Sequence, residues 1–198
     1  MNPQPTSMLT GLSRRRMLGL TLGLGAVVLA GCARDDAGTR RPAPGAGRCL
    51  SFDDRQAATL EALIAAVVPT TAGFPAAADA RVLERFDEET YFVSAEVGDD
   101  IRTAVDALEY LPLLYGRFGR FSRLTPAARR SVLESAMQSR FAVPRAVAGS
   151  LRMMAHLFYY GHPSTWPATG YDGPFSRIDP ILSEQRVHFA ALKQGAQR

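Results

Sequence analysis

From Phe52 to Tyr160 the apolar residues recur at spacings of three and four, and Pro or Gly cuts the pattern at intervals. Leu60, Leu63, Ile64, Val67 and Val68 mark a first helix that Pro69 stops. Ser51, with Asp54 three residues on, reads as its capping box. A second helix is expected from about Ala76 to Phe92, with Val82, Leu83, Phe86 and Thr90 inward. Gly98 should break the chain there. Asp99 would then cap a third helix from Asp100 to about Tyr115, with an inner stripe of Ile101, Val105, Leu108, Leu111, Leu114 and Tyr115 and a kink or end at Pro112. Thr125-Pro126 opens a fourth, to about residue 140, through Val132, Leu133 and Met137. Pro144 opens a fifth, to about residue 160, with Val147, Leu151, Met154, Leu157 and Phe158 inward and Gly161 closing it. No stretch sustains strand alternation. The predicted fold is all-α, an irregular bundle of about five helices. Residues 161–175, with three prolines, three glycines and the only Trp, read as a long aromatic C-terminal loop.

The first 31 residues read as an address rather than as fold. Ser13-Arg14-Arg15-Arg16-Met17-Leu18 matches a twin-arginine export pattern, with Arg14 and Arg15 as its pair. The apolar run from Met17 to Ala30 is short for a bilayer span and suits a signal peptide. It ends in Leu29-Ala30-Gly31-Cys32, a lipoprotein box that would place a diacylglycerol on the Cys32 thiol. The expected organisation is a signal peptide over 1–31, a lipidated flexible tether over 32–50 and a helical domain over 51–198. The expected location is the periplasmic side of a bacterial membrane.

That division decides how the net charge of +4 is read. Three of the 23 basic residues fall in 1–31, which holds no acid, so the rest of the chain has 20 bases against 19 acids. A nearly neutral domain lacks the field to gather phosphates, and no nucleic-acid partner is expected. The charges are nevertheless split. Residues 79–109 hold 10 acids and 3 bases, and residues 117–152 hold 8 bases and 1 acid. Two attracting halves or a polarised docking surface would both produce this.

Two cysteines rule out a four-cysteine metal site, and no dinucleotide, P-loop or nucleophile-elbow motif occurs. No catalytic, cofactor-binding or metal-ligating residue is assigned. His156 beside Met153 and Met154 could ligate a haem, or be a core or surface histidine. His162 should cap or decorate the loop. Asp172 before Gly173 and Pro174 reads as a turn former. Cys49, once Cys32 carries lipid, is the leftover thiol of the tether. It is either inert or a partner in an intermolecular disulfide.

The leader, the segment Leu60-Glu61-Ala62-Leu63-Ile64-Ala65-Ala66-Val67-Val68-Pro69-Thr70 and the ending Gly170-Tyr171-Asp172-Gly173-Pro174 occur in that order. Together they resemble the small (gamma, subunit 3) family of membrane-bound gluconate 2-dehydrogenase complexes, over roughly residues 52–175. The resemblance implies a non-catalytic accessory subunit. It would accompany a large FAD-containing flavoprotein of the glucose–methanol–choline type through export, in many such complexes with a multihaem cytochrome c subunit. Tyr159, Tyr160, Trp166 and Tyr171, with the turn at Asp172 and Gly173, are the candidate partner contacts, since aromatic side chains offer a large apolar area with a polar tip. The box at Cys32 would add an anchor of the chain's own. Two other readings stay open: a stand-alone envelope lipoprotein scaffold, and a small enzyme acting through Asp172, His162 and Tyr171.

Overall fold

The computed structural model describes residues 48–69, 71–173 and 184–196. Arg14, Arg15, Cys32 and most of the expected tether lie outside the described residues, as does Pro174. Among those described there are seven helices and no strand. They are α1 Asp54–Val67, α2 Val82–Phe92, α3 Ala95–Tyr110, α4 Pro126–Met137, α5 Ala142–Tyr160, the single turn α6 Trp166–Thr169, and α7 Glu184–Ala196.

Helix α1 is the hub, touching α2, α3, α4 and α5. It therefore buries residues around most of its circumference, Ala57, Leu60, Ala62, Leu63, Ile64 and Ala66 among them. Its cap is Asp53 rather than Ser51. The Asp53 carboxylate accepts from the Gln56 N–H at 2.6 Å, and the Gln56 side chain accepts from the Asp53 N–H at 3.2 Å. The Ser51 hydroxyl is engaged elsewhere, donating to the Asp87 carbonyl at 3.0 Å. Pro69 ends α1 as the sequence implies.

Helix α2 begins six residues later than expected. Residues 77–81 form turns, and Arg81 sits in the left-handed region at φ 49°, a conformation that cannot propagate a helix. Helix α3 begins five residues earlier than expected. Ser94 caps it, accepting from the Val97 N–H at 3.4 Å. Gly98 is carried inside the first turn, where a Cβ would stand 3.6 Å from the Thr90 carbonyl and 3.4 Å from the Arg102 guanidinium. Those are ordinary contact distances, and the glycine does not break the chain. Asp99 pairs with Arg102 at 2.5 Å instead of capping. Pro112 ends α3, and the chain continues as a 3-10 turn over Leu111–Tyr115.

Helix α4 has the expected Thr125-Pro126 start, with the Thr125 hydroxyl accepting from the Ala128 N–H. Helix α5 starts two residues before Pro144 and ends at Gly161. The segment expected to be a long aromatic loop is, over residues 161–173, largely turn and helix. A 3-10 turn spans Pro163–Thr165, followed directly by α6. The buried Thr165 hydroxyl lies within 2.8–3.3 Å of the carbonyls of Tyr159, Tyr160 and His162. Its one proton serves a single carbonyl at a time, and those of Tyr159 and His162 already accept the N–H groups of His162 and Thr165. Helix α7 has no counterpart in the sequence reading. Phe189 buries against Tyr91 and Phe92 of α2.

The core joins Phe52, Leu60, Leu63, Phe86, Leu108, Phe121, Leu151 and Tyr159, all essentially inaccessible. Cys49 and Leu50 belong to the packed domain as well. Packing thus extends into residues assigned from sequence to the tether. Their anchor is Asp87 on α2, fully buried, which accepts the Leu50 N–H at 2.9 Å and the Ser51 N–H at 2.7 Å. Lys193 of α7 stands 3.6 Å from the same carboxylate. Asp87→Ala would leave two buried N–H groups and the Lys193 ammonium without their acceptor. It is expected to cost about 3 kcal/mol in urea unfolding, whereas Glu61→Ala at the exposed Arg48 pair should cost under about 1 kcal/mol.

Candidate interaction surface

The buried carboxylates Asp87 and Glu109 are bound into structural contacts. Glu109, 1% exposed, accepts from the Thr59 hydroxyl at 3.0 Å, the Ser122 N–H at 2.9 Å and the Ser122 hydroxyl at 2.7 Å. Asp106 takes Arg55 at 3.0 Å and the Gln56 amide at 3.2 Å. Burial raises the Asp106 carboxyl above its ordinary range, against the opposing pull of Arg55 and Gln56. Among the described residues no cluster of three or more His, Cys, Asp and Glu is placed to hold a metal. A cleft beside α2 and α7 has a volume of about 150 Å³ and is lined by Arg85, Glu88, Glu89, Phe92, Gln185 and Arg186. That is small and charged beside the roughly 300–1,000 Å³ apolar pockets that hold small molecules.

The sequence-predicted residues separate into two groups. Tyr159 is not a surface anchor: it is fully buried, and its hydroxyl donates to the Pro75 carbonyl at 2.7 Å. It tethers the turn after α1 to α5, and burial raises its phenol. Cys49 is likewise corrected. Its thiol lies in the core at 5% exposure, so a bridge to another chain would require the domain to open. Burial first, and the Asp87 charge second, push that thiol up to about 12. His156 directs Nε2 to the Val67 carbonyl at 3.1 Å, so that nitrogen carries a proton and donates. His162 caps the 3-10 turn, its Nδ1 accepting from the Ser164 N–H at 3.3 Å.

Tyr160, Trp166, Tyr171, Asp172 and Gly173 do reach the surface or its margin. Trp166 and Tyr171 meet edge to face at 5.3 Å, and the Tyr171 N–H closes on the Trp166 carbonyl at 3.0 Å. Gly173 has φ +101°, and a Cβ there would stand 3.1 Å from the Trp166 ring. Only glycine suits both the backbone and that approach. The Tyr171-Asp172-Gly173 turn is therefore folded onto Trp166, which fixes how the aromatic pair is presented.

The sequence reading missed the surface next to it. On α5, Val143, Ala146, Ser150, Met153, Leu157 and Tyr160 alternate at three and four residues, and all are exposed. Leu157, assigned inward from sequence, is 65% exposed, and Met153 is 66% exposed. The Ser150 hydroxyl turns back to the Ala146 carbonyl at 2.7 Å, so the row presents no unsatisfied polar group at that point. This is the a/d spacing of a helix-packing seam, on the side of α5 opposite the buried Val147, Ala148, Leu151 and Ala155. The spacing was present in the sequence. It was obscured because α5 is apolar on both sides, and periodicity alone does not say which side meets the core. Leu114 and Met137 were also assigned inward and are 61% and 36% exposed.

Among the described residues no helix is long and apolar enough to cross a membrane. The chain matches no family model, no curated protein and no solved structure.

The Cys49 thiol supplies a test of this packing. Its proton leaves near 9.0 in the open chain and at about 12 in the folded one. Between those values the unfolded state holds fewer protons, so stability should fall as pH rises, by up to about 1.4 kcal/mol per unit. Cys49→Ala is expected to flatten that slope when urea midpoints are compared from pH 8.5 to 11. Native Cys49 should also resist a water-soluble disulfide reagent that labels it at once in urea.

Proposed function

We propose that this chain is a non-catalytic accessory subunit that binds, exports and stabilises a larger flavin-dependent sugar or alcohol dehydrogenase. The observation that carries the reading is the exposed apolar row on α5, which ends at Tyr160, just before the turn that presents Trp166 and Tyr171. Large exposed apolar surface of this kind marks a docking site, and aromatic residues in a rigid setting make efficient anchors. The twin-arginine pattern at Arg14 and Arg15, and the resemblance to gluconate 2-dehydrogenase small subunits, indicate what docks: a folded flavoprotein carrying FAD and lacking a leader.

The mechanism is binding. The row on α5 and the aromatic turn engage the folded partner in the cytoplasm. The leader then carries both across, and lipid on Cys32 holds the complex at the periplasmic side of the membrane. A partner that binds only the native state also stabilises it by mass action. A multihaem cytochrome c, where one joins, would bind the flavoprotein and accept its electrons.

Two substitutions separate docking from export. Met153→Glu with Leu157→Glu places two carboxylates in the proposed contact. Co-purification of the flavoprotein should fall at least about thirtyfold, as expected for charges desolvated without partners, with little change in the melting temperature of this chain. Arg14→Lys with Arg15→Lys should strand this chain and the flavoprotein together in the cytoplasm. Export of the flavoprotein regardless of the leader would refute the escort role. A stand-alone scaffold would lose only itself, and a lone enzyme would turn over substrate without any companion.

A further inference from the structure

The chain between α3 and α4 carries a second exposed apolar group, which the docking reading leaves unused. Residues 111–123 comprise two short 3-10 turns, Leu111–Tyr115 and Phe121–Arg123, and the connection between them, whose inner members Leu111, Pro112 and Phe121 are buried. The outer members are Leu113, Leu114 and Phe118 at 50%, 61% and 98% exposure. Phe118 touches almost nothing of its own chain. It stands between Gly116, at φ +67°, and Gly119, so the turn projects it outward.

Arginines flank this tip along the chain. Arg117, Arg120, Arg123 and Arg130 are all exposed, and no acid occurs from Tyr110 to Leu133. Glu109, just before, has both oxygens turned inward to Thr59 and Ser122 rather than toward these arginines. Arg129 is also turned inward, onto the Phe121 and Ser122 carbonyls at 3.2 and 2.6 Å. The next acid is Glu134, on α4.

We infer that this turn is a membrane-contact point that lays Phe118, Leu113 and Leu114 into the interface of an anionic phospholipid bilayer, with the arginines at the phosphate level. An exposed apolar tip flanked in the chain by long cationic side chains matches the layering of such an interface, apolar below and phosphate above. Each basic residue near an anionic surface strengthens binding by about fivefold. A second copy of the chain could offer its acid-rich α2 and α3 to the arginines. The cleft described beside α2, however, is lined mainly by charged side chains and offers no apolar socket for Phe118. The inference rests on the proposed membrane location only for proximity; the patch stands on its own geometry and is read out separately.

The test uses the chain from Ala33 onward, which keeps every described residue and carries no lipid or signal segment. Sedimentation with vesicles containing phosphatidylglycerol should carry the chain down, and vesicles of phosphatidylcholine alone should not. Phe118→Ala should weaken binding about tenfold, and Arg117→Gln with Arg120→Gln about twenty-five-fold, both with wild-type melting curves because these side chains are exposed. Failure of the wild-type chain to bind anionic vesicles, or unchanged binding of both variants, overturns the inference. So does a concentration-dependent dimer that the same substitutions dissolve, which would assign the tip to a second copy. Association with the flavoprotein in detergent should be unaffected by the Phe118 and arginine changes. Absence of that association in the wild type would refute the docking reading while leaving vesicle binding intact.

Discussion

The Asp87 carboxylate is inaccessible to water, and it accepts hydrogen bonds from the backbone of Leu50 and Ser51 with the Lys193 ammonium nearby. An unpaired charge at that depth would be strongly unfavourable, so the position is tolerable only while all three segments converge on it. Through this one group the entering chain, α2 and the last described helix become a single packing problem. Glu109 does the same for the turn leaving α3, joining α1 to Ser122. Two buried acids thus fix irregular connections of the bundle, alongside polar contacts such as those of Asp106 and Tyr159. Much of the acid-rich stretch at 79–109 is explained this way or by neighbouring ion pairs, including those of Arg85 and Arg102.

This division also explains what could be read from the sequence. Helices α1, α4 and α5 were legible because their signals are local: a run of core-spaced apolar residues, a Thr-Pro start, a stop at Pro69 or Gly161. The starts of α2 and α3 were misplaced because the deciding facts are not local. Arg81 takes a left-handed backbone, and Gly98 is carried inside a helix that Ser94 has already capped. Cys49 looked like tether for the same reason: its burial depends on Asp87, 38 positions later. Helix α7 has too few apolar residues to announce itself, and Phe189 and Lys193 acquire meaning only against α2.

The candidate surface was half legible. Trp166, Tyr171 and Gly173 were identified by type, and they form one folded unit because the ring, the turn and the absent Cβ fit together. Tyr159 was grouped with them by adjacency, yet one step along a helix separates a core position from a surface one. The α5 row went unread because two apolar faces on one helix look like a single strong core signal. Here one face packs on α1 and its neighbours and the other is open. The two exposed apolar groups also differ in character: the α5 row runs along one side of a helix, while the Phe118 turn is a small point flanked in the chain by arginines.

The central claim is that this chain acts by holding a flavoprotein. It is tested most directly by recovering the native complex from solubilised membranes through a tag on this chain and recording its mass, absorption spectrum and dehydrogenase turnover. The account expects one flavoprotein per copy, a flavin spectrum that leaves with the large chain on dissociation, and no turnover by the small chain alone. Recovery of this chain without any flavoprotein, or turnover that stays with it after separation, would contradict the account.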